Sequence, residues 1–404
     1  MLAILTSHPI QYQAPLWRTL ADDGRVPFEV WFLTEHAVRP SIDREFGKRF
    51  AWDSNLLDGY SYRFLPIHPG WRMDRFRGIR VTESWAKLFK EHKVTHLWVE
   101  GWRFWENWSA ILTARRLGIE VWLRGETNDL VLRQGLRERA RRFLLGRLFR
   151  CVKYFLCIGS ANGRFYRSFG IEEHRLLTTP YCVDNEWFSE RASRLKNKRT
   201  EVRKIWGISE GSYCILFCGK FLPKKRPMDL VRAAHKVAEN EKKIHLLFVG
   251  SGILGDVLRG EVEVVFDAET SVCALKSGEN SNRLTATFSG FLNQSEITRA
   301  YIAADCIVLP SDAGETWGLV INEAMAAGLP CIASDHCGCA EDLVAPLSRR
   351  GVFRMGDIEA LSVAIEEMIS HPPSPESIKQ HVGRFDIECT VKVVVSTYLN
   401  TALE

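Results

Sequence analysis

The sequence predicts an α/β protein with two parallel β-sheets, and three observations support this fold class. Short β-rich runs alternate with helical patterns through both halves of the chain, as in consecutive βαβ units. With 404 residues, of which 46% are hydrophobic, the chain is longer than one hydrophobic core usually serves. The stretch ERASRLKNKRTEVRK, residues 190–204, is highly charged and typical of an exposed connection between domains.

Fourteen β-rich runs are the candidate strands, seven in each half of the chain. In the first half they are Leu2–Thr6, Phe28–Leu33, Tyr62–Leu65, His96–Val99, Glu120–Leu123, Tyr154–Ile158 and Leu176–Thr179. In the second half they are Tyr213–Cys218, Ile244–Val249, Val262–Phe266, Ala286–Ser289, Cys306–Leu309, Cys331–Ala333 and Val352–Arg354.

The domain boundaries follow from the charged stretch and from the end of the strand pattern. We assign residues 1–190 to an N-terminal domain, 191–204 to the linker and 205–375 to a C-terminal domain. The remaining residues, 376–404, are helical in pattern, and we expect them to cross back to the N-terminal domain. The loop Asp267–Asn282 is an irregular insertion to which the sequence assigns no role.

Composition excludes several classes of function. The net charge of +5, from 54 basic and 49 acidic residues, is too small to indicate a nucleic-acid partner. The start, MLAILTSHPIQYQ, lacks the basic region of a signal peptide and is expected to form the first strand. No apolar run approaches the roughly 18 residues that cross a bilayer. We therefore expect a cytoplasmic protein that binds no nucleic acid.

The cysteines indicate a reducing compartment and no metal site. Most of the 11 lie inside apolar runs, where a free thiol behaves as a small hydrophobic group. The one cluster, Cys337 and Cys339 in DHCGCAED, lacks a second pair at zinc-like spacing. We predict a structural loop there and no bound cofactor.

The segment Ala304–Ser334 contains the strongest functional pattern, read as strand, loop, helix and strand. Ligands of an open parallel sheet bind beyond the carboxyl ends of its strands, and Glu315 falls in such a loop. Glu323 lies about a turn and a half into the following helix, within reach of a ligand over the helix start. The amides that start this helix suit an anionic group, and they belong to Trp317, Gly318 and Leu319.

These residues resemble the signature of the retaining glycosyltransferases of family 4. The signature is a pair of glutamates with seven residues between them, and Glu315 and Glu323 match it within the run GLVINEAMAAGLPCIAS. The resemblance implies the GT-B fold, two Rossmann-like domains facing a central cleft. It also implies that Glu315 holds hydroxyls of the donor sugar and Glu323 holds the nucleotide ribose.

Further motifs of the second half occur in the order of that family. In CGKFLPKKRP, Gly219 precedes Lys220, which stands where relatives carry Arg, and Lys225 keeps the family lysine. Cations there would meet the charge of the departing diphosphate, although a lysine lacks the bidentate fork of an arginine. We interpret the neighbouring Lys224 as solvated.

Two glycine-containing motifs complete the expected donor site. Gly250 and Gly252 in LLFVGSG would let the backbone approach a ligand at a strand end. FSGFLNQSEI resembles the loop that holds the nucleobase, which places backbone groups of Phe291 and Leu292 against the base. The alternative for this last motif is a plain helix start capped by Asn293 or Ser295.

The acceptor is expected at the strand-end loops of the first half. SHPIQYQAP replaces the glycine-rich loop of many relatives, and RGETND carries Glu126 where many relatives have a histidine. Glu126 would accept a proton or bind a sugar hydroxyl, or else it would start a helix or pair with Arg124. The candidate acceptor residues are His8, Gln11, Trp102, Arg124 and Glu126.

Residues 133–153 form a basic amphipathic pattern with eight basic residues and one acidic residue. Such a helix either rests on anionic lipid headgroups or forms the solvated basic side of a packed helix. The residues predicted to share its apolar face are Leu136, Ala140, Phe143, Leu144 and Leu148.

The resemblance implies transfer of a hexose-type sugar from a nucleotide-diphosphate sugar to a carbohydrate or lipid-linked hydroxyl acceptor. Transfer would retain the anomeric configuration without a metal, and the setting would be bacterial surface polysaccharide or glycolipid assembly. The catalytic residues would be Lys220, Lys225, Glu315 and Glu126. Two alternatives are a nucleotide-sugar 2-epimerase of the same fold and a non-catalytic partner that binds nucleotide and membrane.

Overall fold

The structure is a computed structural model that describes residues 1–36, 38, 41–43, 48–50, 53, 55–131, 135–240, 243–270 and 284–401. Most of the predicted insertion, from residue 271 onward, therefore lies outside the described residues. By internal contacts the chain divides into two units. Unit 1 comprises Met1–Ser41, Asn55–Tyr181 and Ile387–Glu404, and unit 2 comprises Ile42–Ser54 and Cys182–Asp386.

The helices and strands alternate along the chain. The strands are β1 (Leu2–Thr6), β2 (Phe28–Phe32), β3 (Ser41–Asp43), β4 (Lys48–Phe50), β5 (Tyr62–Phe64), β6 (His96–Glu100), β7 (Glu120–Arg124), β8 (Tyr154–Cys157), β9 (Leu176–Thr178), β10 (Tyr213–Cys218), β11 (Ile244–Val249), β12 (Glu263–Asp267), β13 (Thr285–Gly290), β14 (Cys306–Leu309), β15 (Cys331–Ser334) and β16 (Val352–Phe353). The helices are α1 (Ala14–Asp23), α2 (Trp85–Glu91), α3 (Trp105–Arg116), α4 (Leu136–Phe149), α5 (Ser160–Arg167), α6 (Asn185–Leu195), α7 (Arg199–Ile205), α8 (Pro227–Ala238), α9 (Gly255–Gly260), α10 (Gln294–Ala303), α11 (Leu319–Ala326), α12 (Ile358–Ser370), α13 (Pro375–Val382) and α14 (Ile387–Thr401).

Each unit is built on one seven-stranded parallel sheet. The strand order is β5-β2-β1-β6-β7-β8-β9 in unit 1 and β12-β13-β11-β10-β14-β15-β16 in unit 2. The α/β prediction is confirmed, and each of the fourteen predicted runs forms a strand with ends within one residue of the prediction. Central strands such as β1 and β11 are buried along their whole length, as expected when helices cover both faces of a parallel sheet. The short pair β3 and β4 was not predicted.

Residues 191–204 differ from the predicted linker because they are mostly helical and belong to unit 2. Helices α6 and α7 pack against α10. Arg203 is buried, and its guanidinium donates hydrogen bonds to the carbonyl oxygens of Ala303 and Ser212. The charge of this stretch therefore lies on the outer sides of two packed helices, and one of its arginines is a buried structural residue.

The last helix, α14, belongs to unit 1, whereas α13 belongs to unit 2. α14 packs against α1, and the Thr401 hydroxyl lies 3.0 Å from Nε2 of His96. The Tyr398 ring lies 4.7 Å from the same imidazole. The segment that joins unit 1 thus begins at Ile387, later than the predicted residue 376.

Helix α4 exposes most of its predicted apolar face. Leu136 is 81% exposed, Phe143 64% and Leu144 53%, whereas Leu148 is buried with Leu145. The predicted face is therefore exposed along the first part of α4 and buried at Leu148, near the end of the helix. Within the part of the chain that the structure describes, no helix is both long and apolar enough to cross a membrane.

Candidate active site

Lys225 and Glu315 form an ion pair at the carboxyl edge of the unit 2 sheet. Lys225 lies in a turn after β10 and Glu315 in the loop after β14. In the sheet, β10 lies between β11 and β14. The chain passes from β10 to β11 on one side, and β14 lies on the other side. Ligands of such sheets bind at this switch point. The Ser311 hydroxyl donates to the same carboxylate at 3.2 Å, so Glu315 is held from two sides.

Glu323 projects from α11 into a partly buried position, where the Tyr301 hydroxyl donates a 2.5 Å hydrogen bond to its carboxylate. Burial raises the pKa of Glu323 to about 7, although the hydrogen bond from Tyr301 acts in the opposite direction. Both Glu323 and Lys225 lie close enough to the Cys218 thiol to influence its pKa. The structure therefore brings the two ends of the predicted donor motif to the same strand end.

Gly318 caps the start of α11 in a left-handed conformation, with φ of 109°. A Cβ atom at this position would lie 2.5 Å from Leu309, so the sequence requires glycine here. The first amides of a helix have no carbonyl partner within it, and Leu319 begins this one. The predicted use of the Trp317, Gly318 and Leu319 amides stays a prediction. The Trp317 indole itself is buried and donates to Asn322 at 2.8 Å.

The glycines after β11 allow close packing of two loops, and their predicted approach to a ligand stays a prediction. A Cβ atom on Gly250 would lie 2.1 Å from the carbonyl oxygen of Gly219, and one on Gly252 would lie 2.7 Å from that of Phe221. The Phe221 amide donates to the Ser251 carbonyl at 2.9 Å. These glycines therefore hold the two loops together. At Gly219 a Cβ atom would meet open space.

Other predicted donor residues lie at the same edge. Phe291 and Leu292 are partly buried between β13 and α10, and Asn293 caps α10 by accepting a hydrogen bond from the Gln294 amide. The predicted cap at Asn293 is confirmed. Lys220 follows β10 after one residue, Gly219, and is partly buried. The proposed contacts of Phe291, Leu292 and Lys220 with a donor stay predictions.

In unit 1 a chain of hydroxyl groups ends on Glu126, just after β7. The Tyr181 hydroxyl donates to the Glu126 carboxylate at 2.5 Å and lies 2.8 Å from the Tyr12 hydroxyl. Because each hydroxyl has one proton, Tyr12 is the donor to Tyr181. The backbone on both sides of Glu126 is also fixed, since Asn162 donates to the carbonyl oxygens of Gly125 and Thr127. Glu126 is thus a solvent-exposed carboxylate in a defined position.

The structure does not support Arg124 as an acceptor contact, whereas Trp102 is partly buried. Arg124 is only 3% exposed, and it donates to the carbonyl oxygens of Thr179 and Pro180 at 3.3 Å. The Trp102 ring stacks on Phe165 and packs against the core. The prediction for Arg124 is wrong because β7 continues to Arg124, which places its side chain in the interior. The Trp102 ring lies beside Gly125, and its predicted contact with an acceptor stays a prediction.

The loop after β1 carries the remaining acceptor candidates. His8 is partly buried, and burial together with nearby positive groups lowers its pKa to about 4, so its imidazole is neutral at pH 7. Its Nδ1 atom lies 2.8 Å from the Ser7 hydroxyl. Among the described residues, Oε1 of Gln11 and Oε1 of Glu100 are buried and make no hydrogen bond. Polar atoms of this kind usually pair with water or with a ligand.

Sequence reasoning missed Tyr301 and Tyr181, and it placed Tyr12 and Glu100 in the strand-end loops without naming them as site residues. Tyr301 lies 22 residues before Glu323, and Tyr181 lies 55 residues after Glu126. No local spacing signals such pairs. Glu100 ends β6, beside β7, and burial raises its pKa to about 7. Its position at the carboxyl end of a strand was the one available signal.

Substitution of Glu323 with Gln tests the raised pKa of its carboxylate, because the pKa makes the free energy of unfolding depend on pH. The folded pKa of about 7 lies above the ordinary 4.5, so the folded protein keeps a proton that the unfolded chain releases. The resulting stabilisation is complete below pH 4.5 and is lost as the pH rises through 7. Between about pH 5 and pH 7.5, the wild type should lose about 1 to 2 kcal/mol of unfolding free energy relative to Glu323→Gln in urea titrations. Parallel curves for the two proteins would contradict the assignment.

Among the described residues, no group of three or more His, Cys, Asp or Glu side chains is placed to hold a metal ion. Cys337 and Cys339 are both buried as free thiols.

Residues 198–383 match the family model described as glycosyl transferases group 1. The chain is 26% identical over 246 residues to a D-inositol 3-phosphate glycosyltransferase of Geodermatophilus obscurus, covering 58% of this chain and 50% of the relative. It is 29% identical over 170 residues to a GDP-mannose-dependent alpha-mannosyltransferase of Mycolicibacterium smegmatis, covering 42% of this chain and 37% of the relative. The chain thus spans half or less of the length of these curated relatives.

Solved structures show the same fold at low sequence identity. Anabaena HepE in complex with UDP and glucose has a TM-score of 0.66 and 15% identity, with 99% of both chains covered. Sucrose-phosphate synthase from Thermosynechococcus elongatus has a TM-score of 0.63 and 16% identity, with 100% of this chain and 99% of that chain covered. Residues 198–383 thus match the glycosyl transferases group 1 family, and the chain as a whole has the GT-B fold.

Proposed function

We propose that the chain is a retaining glycosyltransferase that moves a sugar from a nucleotide-diphosphate sugar to a hydroxyl acceptor without a metal. The observation that carries this proposal is the Lys225–Glu315 ion pair at the switch point of the unit 2 sheet, with Glu323 on the following helix. Relatives named as glycosyltransferases and the UDP-bound HepE structure support it. We place the reaction in the cytoplasm, in bacterial surface polysaccharide or glycolipid assembly.

The donor would bind along the carboxyl edge of unit 2. Glu315 would accept hydrogen bonds from sugar hydroxyls. A carboxylate repels the negatively charged diphosphate, but it is a good acceptor for hydroxyl groups. Glu323 would do the same for the ribose. Lys225, with Lys220, would lie beside the diphosphate, and the first amides of α11 would bind its oxygens.

The chemistry needs no protein nucleophile. The bond between the anomeric carbon and the phosphate oxygen breaks, and the bond between that carbon and the acceptor oxygen forms on the same face of the sugar. The leaving diphosphate takes the proton of the acceptor hydroxyl. Lys225 stabilises the charge that develops on the diphosphate. Its ammonium group, which pairs with Glu315 in the free protein, would pair with the phosphate when the donor binds.

The acceptor would bind to the strand-end loops of unit 1. Glu126 is the strongest candidate contact because Tyr181 and the fixed backbone hold its carboxylate in one place. The neutral His8 and the unpaired Gln11 amide oxygen would contribute further hydrogen bonds. A hydroxyl-rich ligand supplies the donors that these acceptors lack.

Helix α4 supports a contact with an anionic membrane. Its exposed side carries Leu136, Phe143 and Leu144 together with arginines, and Glu138 is paired with Arg141. An amphipathic face of this composition binds the headgroup region of a bilayer. We propose that α4 holds the enzyme at the inner face of the membrane, where lipid-linked acceptors lie.

A thermal-shift screen with UDP, GDP, ADP and TDP tests the proposed function. A ligand that binds only the folded state stabilises it by about 2.7 kcal/mol at a hundred times its Kd, so one nucleotide should raise the melting temperature by several degrees. The donor sugar is then tested by release of the nucleoside diphosphate. Absence of any shift would argue against donor binding. Formation of an epimer from donor alone would instead support the 2-epimerase alternative.

A further inference from the structure

The loop between β5 and α2 exposes aromatic rings among arginines, and neither the family match nor the candidate active site accounts for it. We call residues 68–80 the Trp71 loop. Trp71 is 38% exposed and Phe76 is 45% exposed. Arg72, Arg75 and Arg77 are exposed beside them, and Asp74 is the one acidic residue of the loop. Large exposed aromatic residues beside like charges mark interaction surfaces.

The Trp71 loop has a defined shape. An antiparallel bridge between Ile67 and Val81 closes its base, and the Arg72 amide donates to the Gly78 carbonyl at 2.8 Å. A Cβ atom on Gly78 would lie 1.9 Å from the Arg72 carbonyl oxygen, so the chain crosses itself closely there. Ile79 is completely buried and anchors the loop to unit 1. The exposed rings are therefore held outward by a fixed backbone.

The charges of the loop are only partly compensated. Asp74 pairs with Arg72 at 2.6 Å, and the Arg77 guanidinium lies 5.2 Å from the Trp105 ring centroid. Arg75 makes no ion pair with a described residue, and its side chain is exposed. The loop thus presents a net positive charge together with an indole ring, the side chain that prefers the boundary between water and lipid.

The loop and helix α4 lie on the same edge of unit 1. The loop leaves the carboxyl end of β5, and α4 follows the carboxyl end of β7. Phe76 packs against Trp105 in the first turn of α3, and α4 packs beside α3. Two separate segments at one edge of one unit therefore expose the same combination of apolar groups and arginines.

We propose that the Trp71 loop docks on an anionic membrane surface and forms a second contact beside α4. Trp71 inserts between headgroups, and the arginines lie against lipid phosphates. A membrane fits this surface better than a nucleic acid, because the net charge of the chain is only +5. The inference rests on the proposed membrane contact of α4, and it does not depend on glycosyl transfer.

The test measures co-sedimentation of the whole protein with phosphatidylcholine vesicles, with and without phosphatidylglycerol, at physiological salt. Wild-type protein should bind the anionic vesicles much more strongly. Trp71→Ala should weaken binding about tenfold and Arg75→Ala about fivefold, since each arginine near the surface contributes about that factor. The matched control is Arg116→Ala with Leu117→Ala, which removes an exposed arginine and an exposed leucine at the other end of α3.

Each outcome decides between alternatives. Equal binding of the Trp71 variant and the control variant overturns the inference, and so does failure of the wild type to bind anionic vesicles. The inference would also be contradicted if heparin released the bound protein and all loop variants bound equally. The positive charge of the whole protein would then explain the association with vesicles. Loss of binding in Phe143→Ser but not in Trp71→Ala would leave α4 as the membrane contact and remove the loop. Donor-induced thermal shifts, measured on the same variants, report on the proposed function separately.

Discussion

Replacement of Lys225 with Ala is expected to reduce glycosyl transfer by about 10²- to 10³-fold. The cation lies against Glu315 at the strand end where the diphosphate is proposed to bind, and it meets the charge that develops as the phosphate leaves. Its loss also leaves the Glu315 carboxylate without its charge partner, so that the site repels the donor. The measurement is the initial rate of nucleoside diphosphate release, with the melting temperature as a check on folding.

The neighbouring lysine provides a matched control for this substitution. Lys224 is exposed, and its backbone carbonyl accepts a hydrogen bond from the Asp312 amide, which any side chain at this position preserves. Lys224→Ala removes the same charge one residue away and should keep more than half of the wild-type rate. Equal losses in the two variants would show that overall positive charge matters and that the Lys225 position does not.

Replacement of Glu323 with Ala is expected to lower kcat/KM for the donor by about 10²-fold or more. Above pH 7, where most Glu323 is ionised, each hydrogen bond from a ribose hydroxyl to its carboxylate would contribute about 1.5 to 3 kcal/mol, and truncation removes this acceptor. The variant also leaves the buried Tyr301 hydroxyl without its acceptor. Donor-saturation kinetics separate this effect, which should appear mainly in KM, from loss of the chemical step.

Two further variants make the Glu323 result specific. Glu323→Gln keeps an acceptor for Tyr301 and should fall between wild type and Glu323→Ala. Glu359→Ala removes an exposed glutamate from α12 in the same unit and should change neither kinetic constant. A Glu323→Ala protein that is folded and fully active would refute the proposed ribose contact.

The sequence predicted the strands well because buried parallel strands are continuous apolar runs. It failed for the stretch around α6 and α7, where charged residues dominate although Val202 and Ala192 are buried. A helix that packs with one narrow side needs few apolar residues, and composition alone does not distinguish it from a linker. Arg203 adds to the difficulty, since Asp305 pairs with its charge at 3.3 Å and carbonyl groups accept its hydrogen bonds inside the unit.

The candidate site was predictable where a single loop contains it and was not where distant segments meet. Glu315 and Glu323 lie in one motif, and the structure places both at the expected strand end. The direction of a side chain at the end of a strand is not encoded in spacing, which is why Arg124 was assigned to the acceptor site although it is buried. The Tyr181 contact with Glu126 depends on the order of strands in the sheet, which the sequence did not predict.

The return of α14 to unit 1 determines when the two units can fold during synthesis. Unit 2 ends at Asp386, so its sequence is complete before the last helix is synthesised. Unit 1 needs α14 to cover α1 and the His96 imidazole, although its first strands are synthesised at the very start. The part of the protein that is made first is therefore the part that is completed last, and a premature stop after residue 386 would damage the N-terminal unit while leaving the donor-binding sequence intact.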